Sequence, residues 1–299
     1  MTRTTGRRTT GTRGAEPAPM NLQVGIGSFR DLEYYLREGA AELYCGLEYI
    51  PSHVEGARNF ASTGEILKAA ALARAAGAKM FFAANEVHAA LLERTAGVIA
   101  ELAGGGIDGV IIRDLALMDL LRRRRIRTPL ILSTLSCCLN AAALGFYRRY
   151  GVTRLALPEQ LLPAEAAELV RNRWGIGTEV FLKARECCRN FNGLCFLECR
   201  GKDSNTCKKK FRLRGRGFVM PAFSPAEHLA QLHDYHRLGV GTLKVGRSPA
   251  AEISRVIFAE GRLLAGLLAA GLSRERFTAE ALRVRTAMDR AYLRLKEGF

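Results

Sequence analysis

The sequence alternates short apolar runs with helical segments, and this regular alternation restricts the fold more than any other feature of the chain. The runs are rich in β-branched and aromatic residues, which favour strands. They begin at Asn21, Ala41, Lys79, Gly109, Pro129, Arg154, Thr178 and Thr242. Eight strands in strand–helix order predict an α/β fold, a (β/α)8 TIM-barrel-like single domain, rather than an open doubly wound sheet. Periodicity alone does not show closure, so the open sheet stays an alternative.

Residues 1–19 differ in composition from the rest of the chain. They consist mainly of Thr, Arg and Gly with almost no apolar side chains, so we expect a disordered basic tail, followed by the barrel domain over residues 20–299. No apolar run approaches the roughly 20 residues that a membrane-spanning helix needs. No apolar signal segment follows the basic N-terminus either. We therefore expect a cytoplasmic protein with no membrane span.

The chain carries a formal net charge of +16, and its positive residues are unevenly distributed. The stretch from Arg200 to Gly217 contains eight lysines and arginines and a single acid, Asp203. A patch of this kind attracts phosphate, nucleic acid or an anionic small molecule. A second run, Arg122–Arg125, falls at a predicted helix end, where it complements the helix dipole and needs no ligand.

Polar residues follow several of the predicted strands. In a (β/α)8 barrel the carboxyl ends of the strands meet at one mouth, where active sites lie. Three carboxylates at strand ends, with basic residues opposite them, favour a polar pocket at this mouth, and they are Glu86, Asp114 and Glu159. The candidate catalytic residues are Asp114 and Glu159, and the candidate substrate-binding residues are Asn85, Ser133, Lys244 and Arg247.

The five histidines show no zinc-protease spacing, and no Ser-His-Asp pattern is present. The sequence therefore gives no support to an ordinary protease mechanism. His228, His233 and His236 share one helical segment, which we expect to lie on the surface.

Eight cysteines in a reducing cytoplasm do not indicate a disulfide framework. Cys45, Cys137 and Cys138 are expected to be core thiols. The other five lie between Cys187 and Cys207, in a Cys-rich loop, 187–207, after the seventh strand. Four thiolates close in the sequence can bind Zn²⁺ or an iron–sulfur cluster. The lack of the tight CxxC pairs typical of zinc ribbons favours the cluster, and a zinc site or unligated thiols are the alternatives.

Short motifs along the chain match one known family. They are Asn59-Phe60, strands ending at Asn85 and at Asp114, STLSCCLN with Ser133 and Asn140, LALPEQL with Glu159, EVF at Glu179–Phe181 followed by Cys188 and Cys195, and LKVGR at Leu243–Arg247. From Met20 to about Ala265 the chain resembles the collagenase-like peptidase family U-32, which includes the ubiquinone-biosynthesis proteins UbiU and UbiV and several RNA-hydroxylation proteins. The glutamate of the family's LKIEGR element is missing here.

The resemblance implies a [4Fe-4S] cluster held by four cysteine thiolates. Three ligand positions of the family have counterparts in this chain, and they are Cys188, Cys195 and Cys207. The fourth position has no counterpart after Cys207, so we expect Cys199 to fill it, with Cys187 and Cys45 as the alternatives.

The resemblance also implies a component of an oxygen-independent hydroxylase system that acts on a quinone precursor or a similar small molecule, with prephenate as the oxygen donor. UbiU and UbiV act as a pair, so the expected partner is a second U-32 family subunit in a heterodimer, or a second copy of this chain in a homodimer. The expected substrate is anionic and would be bound by Arg247. Asn140 joins the substrate-binding residues through its family motif.

Three other functions stay open on the sequence. RNA hydroxylation would use the lysine-rich stretch after Cys207 to bind phosphates. A peptidase or collagenase, as the family name says, requires a nucleophile or a metal-bound water that the sequence does not show. A non-catalytic electron-transfer or scaffold subunit agrees with the missing glutamate before Gly246.

Overall fold

The computed structural model describes residues 18–50, 58–85, 87–182, 210–219, 223–248 and 250–297. Its strands are β1 (Asn21–Gly25), β2 (Glu42–Cys45), β3 (Lys79–Ala84), β4 (Gly109–Ile112), β5 (Leu130–Leu132), β6 (Val152–Ala156), β7 (Gly177–Phe181), β8 (Lys210–Leu213), β9 (Arg216–Val219) and β10 (Thr242–Val245). Its α-helices are α1 (Phe29–Arg37), α2 (Thr63–Ala75), α3 (Leu92–Gly104), α4 (Leu115–Arg123), α5 (Ala141–Arg148), α6 (Pro163–Val170), α7 (Pro225–Leu238), α8 (Ala251–Ala269) and α9 (Arg274–Glu297). None of the helices within these ranges is long and apolar enough to cross a membrane.

Eight of the strands close into one parallel barrel. Their order around the barrel is β1, β10, β7, β6, β5, β4, β3 and β2, and β2 pairs with β1 to complete the ring. Each predicted apolar run overlaps one barrel strand, so the (β/α)8 prediction is confirmed and the open sheet is excluded. The carboxyl ends of all eight strands therefore meet at one mouth.

Successive side chains of each strand face opposite sides of the barrel wall. Outward-facing residues such as Leu43 and Phe82 are completely buried beneath the helices. Burying a side chain of this size contributes roughly 1.5–3 kcal/mol. Inside the barrel, Tyr44 packs against a second, smaller apolar cluster formed by Phe81, Ala83, Ile111 and Ile131. This cluster fills the side of the barrel formed by β3, β4 and β5.

The helix α4 ends within the arginine run at Arg123, as predicted. Arg122 and Arg123 both pair with Asp119, at 2.8 and 2.9 Å. Arg122 and Arg123 are therefore satisfied by the helix end and by a carboxylate of the same helix, and Arg124 pairs with Glu93 of α3.

Helix α7 is buried, and the prediction that it lies on the surface is wrong. His233 and His236 are only 9% and 4% exposed, because α9 packs over this helix. Nε2 of His233 lies 3.1 Å from the carbonyl oxygen of Leu272, and Nε2 of His236 donates to the carbonyl of Ala18 at 3.2 Å. Both imidazoles thus have backbone partners that are distant in the sequence, which is why the local sequence pattern placed them in solvent.

The contact between His236 and Ala18 bears on where the barrel domain begins. Ala18 lies two residues before the expected start of the barrel domain, and its carbonyl is already part of the packed structure. Met20 is 5% exposed and belongs to the core. The rest of the predicted tail, residues 1–17, lies outside the described residues.

Strands β8 and β9 form an antiparallel hairpin that the sequence analysis did not anticipate. Its two turn residues, Arg214 and Gly215, have φ angles of 49° and 77°, the combination that two-residue hairpins favour. The rings of Phe211 and Phe218 stack across the strands with centroids 5.5 Å apart. The alternation in Lys210–Leu213 and the Arg-Gly turn were signals that could have revealed it.

Candidate active site at the barrel mouth

The barrel brings most of the predicted site residues to its mouth. Asn85, Asp114, Ser133 and Glu159 come directly after β3 to β6 or within three residues of their ends, and Arg247 follows β10. The barrel order places the first four on neighbouring strands and Arg247 across the mouth from them. The mouth is thus polar, as expected from the sequence.

Three of the predicted residues cap the elements that follow them. Oδ1 of Asp114 accepts a hydrogen bond from the backbone N of Leu117 at 2.8 Å, at the start of α4. Oγ of Ser133 accepts from the N of Leu135 at 3.3 Å, and Ser133 is buried. Asn140 caps α5 and is exposed, four residues beyond the short 3₁₀ turn Thr134–Ser136. Capping explains why these three residue types occur at these positions, even without a bound ligand. The case for contact with a substrate is weakest for Asn140, because it is exposed.

Asn85 and Glu159 differ from these capping residues. Oδ1 of Asn85 is buried and, within the described residues, accepts no hydrogen bond. A buried carbonyl oxygen without a donor is costly, by about 1–3 kcal/mol. It is suited to accept a hydrogen bond from a ligand at the mouth. Glu159 is half-buried in the turn after β6 and has an interaction partner of its own.

Lys244 is inside the barrel rather than at its open mouth. Its side chain is 4% exposed, and Nζ lies 2.8 Å from Oε1 of Glu179 on β7. The ammonium also lies over the rings of Tyr44 and Phe181, at 4.6 and 5.4 Å from their centroids. Lys244 therefore has a counter-ion and aromatic neighbours within the barrel, and the predicted contact with substrate has no geometric support.

Lys244 is one end of a charged network that crosses the barrel interior. Arg154 on β6 donates to both carboxylate oxygens of Glu42 on the opposite strand β2, at 2.5 and 2.8 Å. Its Nη1 also lies 3.4 Å from Oε2 of Glu179, and Gln23 donates to Glu42 at 3.0 Å. Two carboxylates and two cations balance, so a buried network of this kind can persist in a low-dielectric interior. The sequence analysis missed it, although polar residues at alternate positions of apolar strands were the signal.

Arg247 is held rigidly at the mouth by the protein backbone. Its Nη1 donates to the carbonyls of Ile26 and Arg58, at 3.1 and 2.6 Å, and its Nη2 donates to Oδ1 of Asn59 at 2.8 Å. Two glycines make room for this arrangement, since a Cβ on Gly25 would lie 2.5 Å from Cγ of Arg247. A Cβ on Gly27 would lie 1.9 Å from the carbonyl oxygen of Arg58. The Gly-Ile-Gly segment, interpreted from the sequence as a tight turn, thus accommodates an arginine.

Within the described residues, no carboxylate forms an ion pair with Arg247, and its Nε is buried without an acceptor. Burial lowers the pKa of the guanidinium below its usual value. A desolvated cation that is fixed in place and not neutralised is a suitable receptor for an anionic group.

A cavity of about 280 Å³ opens beside Arg247, between the ends of β1 and β10 and the starts of α1 and α8. Its lining includes Arg58, Ser28 and Ser248 as well as Asp31 and the buried Tyr35. The N-cap of α8 offers no side-chain acceptor, so the first turn of this helix depends on other acceptors for its N–H groups. Residues from four elements meet here, and local sequence patterns did not reveal this set apart from Arg247.

Three cysteines lie in the described part of the chain. Cys45 is fully buried beneath the helices, on the outer side of β2, and burial raises the pKa of its thiol to about 12. Burial also raises the pKa of Cys138 to about 11, and Cys137 is half-buried. Cys45 and Cys138 are core thiols, as predicted. An outward-facing thiol of such high pKa is poorly suited to be the fourth cluster ligand.

The expected cluster ligands, Cys188, Cys195, Cys199 and Cys207, lie outside the described residues, as does the alternative Cys187. Among the described residues, no three His, Cys, Asp or Glu side chains are grouped closely enough to hold a metal ion.

Residues 27–253 match the profile of Peptidase family U32. The chain belongs to this family. The match covers the barrel from the first strand–helix connection to the start of α8, and it therefore includes the mouth and the Cys-rich segment. No curated protein matches the chain.

Two solved structures are similar to this chain. The U32 peptidase Mk0906 is 14% identical with a TM-score of 0.43, over 60% of this chain and 75% of that one. A dihydrodipicolinate synthase is 10% identical with a TM-score of 0.54, over 90% of this chain and 82% of that one. At 10% identity, the similarity to the synthase shows the fold alone, and this fold is the (β/α)8 barrel.

Proposed function

We propose that this U32 protein is an iron–sulfur component of an oxygen-independent hydroxylase system that acts in the cytoplasm on an anionic small molecule. The observation that carries the proposal is the arrangement of β7 and β10. These strands are neighbours in the barrel, at Val180 and Leu243. The Cys-rich segment leaves the carboxyl end of β7, and the cavity with Arg247 lies at the carboxyl end of β10. Cluster and substrate would thus share one mouth.

The chain's own residues have distinct roles in this proposal. Arg247 would bind a carboxylate or phosphate group of the substrate, with Arg58, which also lines the cavity, as a second cation. Asn85 would accept a hydrogen bond from the substrate. Asp114 and Glu159 would hold or transfer a proton at the mouth. Among these groups, Arg247 is held in place by its hydrogen bonds before a ligand arrives.

Cys188, Cys195, Cys199 and Cys207 would hold a [4Fe-4S] cluster, which supplies one-electron chemistry when bound. The oxygen atom would come from an organic donor such as prephenate rather than from O₂. The proposed partner is a second U32 subunit, in a heterodimer or a homodimer.

Deleting the chain from its host and growing the cells without O₂ tests this function. We expect the hydroxylated quinone, or another hydroxylated small molecule, to disappear and its unhydroxylated precursor to accumulate in mass spectra. An unchanged small-molecule profile, together with loss of a hydroxylated nucleoside from RNA, would favour the alternative substrate instead.

RNA hydroxylation is the second candidate, and the β8–β9 hairpin favours it. Lys210, Arg212, Arg214 and Arg216 give the hairpin four positive charges without an acid between them. The stacked pair Phe211 and Phe218 lies on the same hairpin. Aromatic rings beside basic residues bind single-stranded RNA.

The peptidase reading of the family name is less favoured. It requires a nucleophile with a base or a metal-bound water. The described residues contain no group of side chains that could hold a metal ion, and His233 and His236 of α7 are buried between helices.

A further inference from the structure

A groove of about 760 Å³ runs along the outer wall of the barrel between α5 and α6. Its floor is formed by small residues of α5, among them Ala141 and Gly145. Its rim carries four arginines, Arg148, Arg149, Arg171 and Arg173. The helices run antiparallel to the strands, so these arginines lie towards the amino end of the barrel, away from the mouth.

One wall of the groove is built by Asn172, which uses all of its side-chain hydrogen-bonding groups. Its Oδ1 accepts from the N of Trp174 and of Ile176, at 3.1 and 3.0 Å. Its Nδ2 donates to the carbonyls of Leu169 and Ile176, at 2.9 and 2.7 Å. The turn presses Trp174 against α5, where a Cβ on Gly145 would lie 2.8 Å from Cη2 of the indole. The groove is therefore pre-organised.

The positive charge of the groove is not compensated within it. The single carboxylate in its lining, that of Glu168, accepts a hydrogen bond from the N of Ala141 at 3.0 Å. In the part of the chain that the structure describes, none of the four arginines forms an ion pair. The helix dipoles of α5 and α6 favour cations at the helix ends, but Arg173 lies beyond α6. Clustered like charges repel each other, so a polyanion bound here would reduce the electrostatic repulsion among the four arginines.

Two of the arginines are oriented by aromatic rings. The guanidinium of Arg149 lies 4.6 Å from the centroid of Phe146, and that of Arg173 lies 5.3 Å from the centroid of Trp174. Stacking of this kind holds the planar fork in place for bidentate contacts with phosphate.

We propose that this groove binds the phosphate backbone of a nucleic acid strand. A concave surface that carries several arginines suits a chain of regularly spaced single charges better than a flat membrane does. The exclusive use of arginine among its cations suits phosphate. The proposal concerns a surface remote from the mouth and does not depend on the reaction there.

The single tryptophan of the chain makes the test specific, because Trp174 lies in the groove. The full-length protein is titrated with a fluorescein-labelled single-stranded RNA of about 12 nucleotides. Anisotropy gives the affinity between about 50 and 200 mM salt, and tryptophan emission shows whether the groove is occupied. We expect the emission to change in parallel with the anisotropy.

The double variant Arg148→Gln/Arg173→Gln should weaken binding by about tenfold or more and reduce the slope of log K against log salt by about 1.4. The matched control Arg276→Gln/Arg290→Gln removes two exposed arginines from α9 and should stay within about twofold of the parent protein. Equal losses in both variants, binding without a change in tryptophan emission, or no binding at low salt would each overturn the proposal. Equal displacement of the RNA by a polyglutamate peptide would assign the groove to an acidic protein instead.

Discussion

Nη2 of Arg247 donates to Oδ1 of Asn59 at 2.8 Å, across 188 positions of the sequence. This hydrogen bond ties the segment after β10 to the segment that precedes α2. Together with the bonds to Ile26 and Arg58, it fixes a cation that has no counter-ion among the described residues. The proposed anion site follows from this fixed charge.

Replacing Arg247 by lysine tests the site while keeping the positive charge. Lysine cannot reproduce the bonds to two carbonyls and one amide oxygen, so we expect the free energy of unfolding to fall by about 1–3 kcal/mol. The dissociation constant for prephenate, measured by anaerobic calorimetry, should rise by about tenfold. Arg276→Lys, on the exposed surface of α9, serves as the control. Unchanged affinity in Arg247→Lys would remove Arg247 from the site.

Gly27→Ala should destabilise the fold, because the new Cβ would lie 1.9 Å from a backbone oxygen that cannot move freely. We expect a loss of about 1–3 kcal/mol in urea denaturation. Gly97→Ala is the matched control: it lies on the exposed face of α3, and its Cβ would meet nothing within 4 Å. The control should be neutral or slightly stabilising, because alanine favours the helix. Similar effects of the two substitutions would contradict the close approach at Gly27.

Lys244→Met should cost about 3–5 kcal/mol, because the one other cation near the buried carboxylate of Glu179 among the described residues is Arg154, at 3.4 Å. Adding Glu179→Gln removes the uncompensated charge, so the double variant should recover at least part of that loss. Chemical denaturation of the four proteins of this cycle gives the coupling energy. Additive losses would show that the two side chains do not interact.

Stability should fall in mildly acidic solution through His236. Burial lowers the pKa of its imidazole below the unfolded value of about 6.5. The unfolded chain therefore takes up the proton first, and stability is lost as the pH falls from about 6.5 towards the lower, folded pKa. The melting temperature of His236→Gln should depend less on pH in this window than that of the parent. His88→Gln, at an exposed position, should behave like the parent.

The sequence predicted the barrel well because the information is local. Each barrel strand is a short apolar run, and all but β7 are followed directly by a helical pattern, so their order and number could be counted. Closure could not be derived this way, because it depends on the pairing of β1 with β10, the first and last strands of the barrel, and no local pattern shows that these two strands meet. The surface assignment of α7 failed for the same reason, because α9 covers it from the far end of the chain.

The candidate site was predicted only in part. Strand ends identified Asn85, Asp114 and Glu159, because parallel strands bring their carboxyl ends together. Whether a strand residue lies inside the barrel or at its mouth depends on the register between neighbouring strands. The sequence does not give this register, and Lys244 was therefore assigned to the mouth. The cavity at Arg247 combines segments that only the closed barrel makes adjacent.

The iron content of the protein tests the central proposal most directly. The chain is purified without O₂ from iron-replete cells, and iron, zinc and acid-labile sulfide are counted beside the absorption spectrum. We expect about four irons per chain, loss of most of the iron in Cys199→Ser, and full retention in Cys45→Ser, whose thiol is buried beneath the helices. Stoichiometric zinc without iron in the parent protein, or a full cluster in Cys199→Ser with loss in Cys45→Ser, would contradict the account.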